Sequence, residues 1–407
     1  ESMLTIERRL FGDQDAEVAF TLEWLSGRYV QVEDFSAAQS ARQEQVDILI
    51  AMHGAGHWRV ADARWELVHV QMLEDMSAED RATLLRADEL TQDAIAAYSR
   101  GESARAVVLI REALDIRRRL LRAPHPGLAE SLNNLGYLLE LQGEWAAAGE
   151  HYKQSLAMLR ELYPSEQYPF GHPDLATSFS NLGVLFVSQG DFAAAREYLE
   201  RALDMHGNLY PPERHPQGHP NLARSLSNLG SLLESQGDYA AAREYHEQAL
   251  AMSRELYPAE QYPSGHPDLA LSLNNLGALF QSQGDYAGAR EYHEQALTMR
   301  RRLYPADQYP QGHPELAMSL NNLGLLLRAQ GDYPAAREFY ERALAIYSDL
   351  YSSEQYPQGH PDLARSLNNL GAVLESQGDY AGAREYHEQA LAMCRRLYPA
   401  DQYPHGH

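Results

Sequence analysis

The segment Gly-His-Pro-Asp-Leu-Ala at Gly171–Ala176 returns at Gly218, Gly265, Gly312 and Gly359, with Asn or Glu sometimes in place of Asp, and every interval is 47 residues. A shorter form, His125-Pro126-Gly127-Leu128-Ala129, lies 47 residues before His172, and His407 lies 47 after His360. Self-similarity at one fixed period marks a repeat architecture, in which each copy is a supersecondary unit that buries its apolar face only against its neighbours.

The copy from His219 to Gly265 shows what the unit is. Leu222, Leu226, Leu229 and Leu233 fall on one stripe of a helix. Pro220 suits the first helical turn, where no N–H is needed. Gly237 stops that helix, and Asp238 is placed to cap a second one. The second helix carries Tyr239, Ala242, His246 and Ala249 on one face, and Pro258 follows its end. Each copy therefore reads as a helix–turn–helix of two amphipathic helices. Between copies runs Leu-Tyr-Pro-x-x-Gln-Tyr-Pro-x-Gly-His-Pro, as at Leu162–Pro173 and Leu256–Pro267; its prolines and glycine exclude helix, and an extended connector is expected. One copy departs, with Arg214-His215 in place of Gln-Tyr.

Leu226, Leu229, Gly230, Leu233, Gly237, Tyr239, Ala242, Tyr245 and Ala249 resemble the tetratricopeptide repeat consensus, and Gly230 and Ala242 are small where two helices approach closely. The Ser-Leu-Asn-Asn-Leu-Gly runs at Ser131, Ser272, Ser319 and Ser366 resemble the kinesin-light-chain subtype, whose unit has 42 residues; the step from Glu89 to Ser131 is also 42, and later units carry five more. The resemblance covers roughly residues 88–407. It implies an all-α, right-handed superhelical solenoid of about eight helix pairs. The division expected is residues 1–87 as a degenerate N-terminal repeat region with an inserted helix, 88–124 as the first regular repeat, and 125–407 as tandem 47-residue repeats. Shifted by 110 residues, Arg8-Arg9-Leu10 overlies Arg118-Arg119-Leu120, Ala19 overlies Ala129, Leu22 overlies Leu132 and Phe35 overlies Trp145. The chain thus starts inside the second helix of an earlier repeat. Residues 50–87 break the period, and the stretch beginning His57-Trp58-Arg59-Val60 reads as a longer helix. That stretch with the repeats also resembles the repeat halves of bacterial proteins that carry a caspase-like CHAT protease or a kinase domain.

The formal net charge is −23, which repels phosphate backbones and argues against nucleic acid as a partner; it serves solubility or favours basic partners. No run approaches the roughly 18 apolar residues of a membrane helix, and the first ten residues do not read as a secretory signal. The single cysteine, Cys394, excludes a disulfide framework and fits a reducing, cytoplasmic setting.

Catalytic motifs are missing: there is no phosphate loop, no Gly-x-Gly-x-x-Gly, no nucleophile elbow, and His246-Glu247 lacks the second histidine of a zinc-protease helix. No enzyme activity and no cofactor are expected. His53 and His57 sit four apart, a spacing more often incidental than metal-binding. The ladder His125, His172, His219, His266, His313, His360 and His407 cannot share a metal: stacked helices are about 10 Å apart, whereas zinc needs ligands at about 2 Å. These histidines are expected to orient helix starts. The connector tyrosines Tyr163, Tyr168, Tyr257, Tyr262, Tyr304, Tyr309, Tyr356 and Tyr403 are expected to pack one connector on the next, or to form an aromatic binding ridge.

Where the resemblance holds, the first helix of each repeat lines a concave groove. The matching positions are Asn134, Asn181, Asn228, Asn275, Asn322 and Asn369, whose amides can pair with a peptide backbone or with the neighbouring repeat. Arg224 and Arg365 lie four residues before Asn228 and Asn369, resembling the family's carboxylate-binding arrangement; Glu130, Thr177, Leu271 and Met318 hold that position elsewhere. Glu140, Val187, Glu234, Gln281, Arg328 and Glu375 vary at one groove position from repeat to repeat, as a graded binding surface or drift on a solvated face would. The leading expectation is a scaffold that holds peptide or protein partners, with neither nucleic acid nor membrane. Two alternatives stand beside it: the regulatory half of a larger enzyme, and a subunit that self-assembles through its terminal repeats, which carry no polar closing helix.

Overall fold

The computed structural model of the protein describes residues 3–99, 102–354 and 356–399; Tyr403 and His407 lie outside them. The described residues form eighteen α-helices and no strand. They fall into two compact bodies. The first comprises Glu1–Gln189 and Glu200–Leu209, the second Gly190–Leu199 and Tyr210–His407.

In the first body, α1 (Met3–Phe11), α2 (Ala16–Gln31), α3 (Phe35–His53) and α4 (Trp58–Asp75) precede three repeated pairs. These begin with α5 (Ala78–Ser99) and α6 (Ser103–Leu120), continue with α7 (Pro126–Leu141) and α8 (Trp145–Leu162), and reach α9 (Pro173–Ser188) and α10 (Phe192–Leu209). The boundary between the bodies runs through α10. The second body continues with α11 (Pro220–Ser235), α12 (Tyr239–Leu256), α13 (Pro267–Ser282), α14 (Tyr286–Leu303), α15 (Pro314–Ala329), α16 (Tyr333–Leu350), α17 (Pro361–Ser376) and α18 (Tyr380–Leu397). From α7 onward every first helix has 16 residues and every second helix 18. The bounds of α2 are those of α7 moved back by the same 110 residues that align the sequences. The irregular stretch after residue 56 is two helices, α4 and the 22-residue α5, rather than one long one, because Met76 and Ser77 break the run.

Local chemistry sets these boundaries. Each first helix from α7 to α17 starts with His at the N-cap and Pro in the first turn. Its last turn closes on a glycine of positive φ, such as Gly237 at 80°, a conformation that L side chains rarely adopt. In most repeats an Asp then caps the second helix: the Asp238 carboxylate accepts the N–H of Ala241. The interior is the leucine stripe read from the sequence. Leu226, Leu229 and Leu233 are buried and Leu222 half-buried, and on α12 Ala242, His246 and Ala249 are buried. At about 25 cal/mol per Å² of apolar surface, each such leucine contributes about 1.5–3 kcal/mol. A Cβ on Gly230 would lie 2.8 Å from the His246 ring, so only glycine lets α11 and α12 approach this closely.

The connectors are not extended. Gln261 and Tyr262 both donate their N–H to the Pro258 carbonyl, and Gly265 donates to Tyr262, which folds the segment into two consecutive turns. Proline lacks an N–H but keeps its carbonyl, so Pro258 excludes a continuing helix and still anchors a turn.

Candidate functional site

The turns bring each connector's first tyrosine back over its histidine. Tyr163 stacks on His172, Tyr210 on His219, Tyr257 on His266, Tyr304 on His313 and Tyr351 on His360, with ring centroids 3.5–3.7 Å apart. Each of these tyrosines thus packs within its own connector. The histidines do orient the helix starts. Nδ1 accepts the N–H two residues on at 3.1–3.3 Å in His125, His172, His219, His266, His313 and His360. Accepting at Nδ1 puts the ring proton on Nε2. Burial holds His125, His219 and His360 at about 4, so they are neutral at neutral pH.

The asparagine positions all fall on first helices, and all six are half-buried. In the second body α11 adjoins α13, α13 adjoins α15 and α15 adjoins α17, so these helices form a continuous row. Two of the six reach to the preceding repeat: Asn181 Nδ2 donates to Asn133 Oδ1 at 2.8 Å, and Asn322 Nδ2 to Asn274 Oδ1. Each keeps a second N–H and its carbonyl oxygen. Arg224 and Arg365 turn back to Asn221 (3.0 Å) and Asp362 (2.6 Å) rather than forward to Asn228 and Asn369. Among the varying positions, Glu140 accepts the Tyr152 hydroxyl and Glu234 accepts the Ser282 hydroxyl, while Val187, Gln281 and Arg328 are half-buried and Glu375 is exposed. His53 and His57 stack on each other at 4.5 Å, and His57 caps α4 by accepting the Arg59 N–H at Nδ1.

A feature that the repeat pattern does not reveal lies in the first body. Helix α4 crosses the histidine row there. Asp62 accepts from His172 Nε2 at 2.9 Å, Trp58 meets the His172 ring edge-on, and Trp65 and His69 meet His125. Beneath α4 a cavity of about 450 Å³ opens between α4, α5, α6, α7, α8 and α9. The sole sign of it in the sequence is the break in period over residues 50–87.

Tetratricopeptide repeat profiles match residues 175–220, 222–268, 269–315, 316–362 and 363–403, and a second profile of the same description matches 90–161. The chain belongs to the tetratricopeptide repeat family. Among curated proteins no sequence matches it. Among solved structures, BtubC (BKLC) from P. vanneervenii is 27% identical, with 63% of this chain and 90% of that one covered and a TM-score of 0.45. A putative kinesin light chain of Podosopora anserina with nearly identical TPR-like repeats is 23% identical, covering 54% and 96%, TM-score 0.41. A Rap protein in complex with competence and sporulation factor is 13% identical, covering 95% and 100%, TM-score 0.55, and shares the fold. The family identifies a protein-interaction scaffold on a fold that is generally non-enzymatic. No helix of the described residues is long and apolar enough to cross a membrane.

Proposed function

We propose that the chain binds an extended peptide along the first helices of its repeats, with the asparagine row pairing to the peptide backbone and the varying positions setting preference. The continuous row of half-buried amides on α11, α13, α15 and α17 carries this reading. Asn275 and Asn369 make no side-chain hydrogen bond among the described residues, so their donors and acceptors are available to a ligand. A backbone-directed amide recognises main chain regardless of sequence, which leaves selectivity to Glu234, Gln281 and Arg328. Arg224 and Arg365 sit at the edge of the row, where they can meet a carboxylate if they leave Asn221 and Asp362.

The test is a fluorescence-polarisation screen of an extended-peptide library, repeated with Asn228→Ala and Asn275→Ala combined. Each hydrogen bond contributes about 0.5–1.5 kcal/mol, so binders should weaken by roughly tenfold in the double variant. Unchanged affinity in a folded double variant would remove the asparagine row from recognition.

A further inference from the structure

The cavity beneath α4 differs in charge from the row in the second body. The position held by Arg224 and Arg365 is Glu130 in α7, and it lines this cavity with Asp174, Glu66 and Asp88. Against these four carboxylates the cavity wall offers one permanent cation, Arg117, which is 5% exposed and already engaged with Asp88 Oδ1 at 2.6 Å, Thr91 and Ser131. Glu66 faces Arg42 Nη2 at 3.5 Å on its other side. Asp174 has His172 Nδ1 at 3.7 Å, and Glu130 feels the charge of the already engaged Arg117. His69 and His125 add no positive charge at neutral pH, since burial lowers both. Desolvation at the cavity wall pushes the Glu130 and Asp174 carboxyls up, opposed at Glu130 by the charge of Arg117 and at Asp174 by His172.

A second observation points to a ligand. Ser178 lines the cavity and is 1% exposed, yet its hydroxyl makes no hydrogen bond among the described residues. The equivalent serine meets a polar residue of the preceding second helix in three repeats, where Ser131 takes Arg117, Ser272 meets Ser253 and Ser319 takes Arg300, while Ser366 on α17 is buried with no partner for its hydroxyl. For Ser178 the residue at that place is Leu159, also in the cavity wall. A hydroxyl on the cavity wall with no protein partner is open to a ligand donor.

We propose that this cavity takes the cationic side chain of a basic partner peptide, an arginine guanidinium or a lysine ammonium, between Glu130 and Asp174. About 450 Å³ is within the range of ligand pockets and accommodates such a side chain. Trp65, Leu84 and Leu121 supply an apolar wall for its aliphatic stem, and the indole face attracts the charge. Ser178 accepts one of the ligand's N–H groups. The cavity exists because α4 roofs the row here, and the chain's charge of −23 steers basic segments toward it. The inference deepens the peptide-scaffold reading, and its test uses ligands too short to span the asparagine row.

The test is calorimetric titration of the whole chain, at low salt, with the blocked tripeptide acetyl-Gly-Arg-Gly-amide, its lysine counterpart and its citrulline counterpart. Citrulline keeps the shape of arginine and removes the charge. The arginine or lysine peptide should bind at least tenfold more tightly than the citrulline peptide. The Glu130→Gln, Asp174→Asn double variant should lose that preference while keeping its helical spectrum, since both substitutions preserve side-chain size and shape and remove only the charge. Absence of binding by either basic peptide overturns the proposal, as does equal binding of citrulline or an undiminished preference in the double variant. Library binders that depend on Asn228 and Asn275 without any basic preference would also overturn it, and would leave the scaffold reading intact.

Discussion

Replacing His246 by tyrosine should remove a defined share of the protein's acid sensitivity. His246 lies beneath Gly230, is 1% exposed, and is held at about 4 by burial. Its unfolded value is near 6.5, so the unfolded chain binds the extra proton first. This stabilising contribution is complete above about pH 6.5 and is lost as pH falls toward 4. The gap corresponds to about 3 kcal/mol at its full extent, an upper value because Glu234 Oε2 stands 4.0 Å from Nε2 and favours the charged ring. The same chain shows that tyrosine fits. Tyr152 and Tyr340 occupy the equivalent place beneath Gly136 and Gly324, each with the glycine's Cβ position 2.8 Å from the ring, the value found for His246. Tyr152 donates its hydroxyl to Glu140 at 2.8 Å, and Glu234 stands where Glu140 stands. His246→Tyr should therefore fold normally, with stability at neutral pH within about 1.5 kcal/mol of the parent. Urea unfolding followed by helical ellipticity, at steps between about pH 7 and pH 4.5, measures the difference. The parent should lose more stability than the variant across that interval, by up to about 3 kcal/mol. Parallel curves would refute the reasoning, because they would mean that the buried ring already carries a proton or never differs from the unfolded chain.

Two further substitutions probe the helix pair. Gly230→Ala adds a Cβ 2.8 Å from a ring that cannot move, so it should cost about 1–3 kcal/mol in urea unfolding despite the better helix propensity of alanine, and His246→Ala in the same chain should relieve much of that cost. At the start of α8 Glu144 makes no side-chain cap, whereas Asp191, Asp238, Asp285, Asp332 and Asp379 cap their helices; Glu144→Asp should raise stability by about 1 kcal/mol, and an unchanged thermal midpoint would contradict it.

The helix boundaries were legible in the sequence because they depend on neighbours in the chain. His before Pro, Gly before Asp, and a leucine every three or four residues fix where helices start, stop and bury, and 47-residue periodicity extends that to every repeat. The connectors were not legible, since their prolines exclude helix without choosing among the turns that remain. Hydrogen bonds from Tyr262 and Gly265, with the Tyr257–His266 stack, made that choice.

The candidate site divides along the same line. The asparagine positions were legible because each repeat carries its asparagine to the same place on its own first helix, and the resemblance supplied their reading as a groove. What each amide touches did not follow: Asn181 and Asn322 bond to the repeat before, while Arg224 and Arg365 turn back along their own helices. The cavity under α4 needed tertiary structure altogether. Glu66, Asp88, Glu130 and Asp174 stand on four different helices, and the one that roofs the cavity lies outside the repeat. Periodicity specifies how like units stack on like. It says nothing of where an unlike helix comes to rest, which is decided by the few contacts it makes, here Asp62 on His172 and Trp65 and His69 on His125.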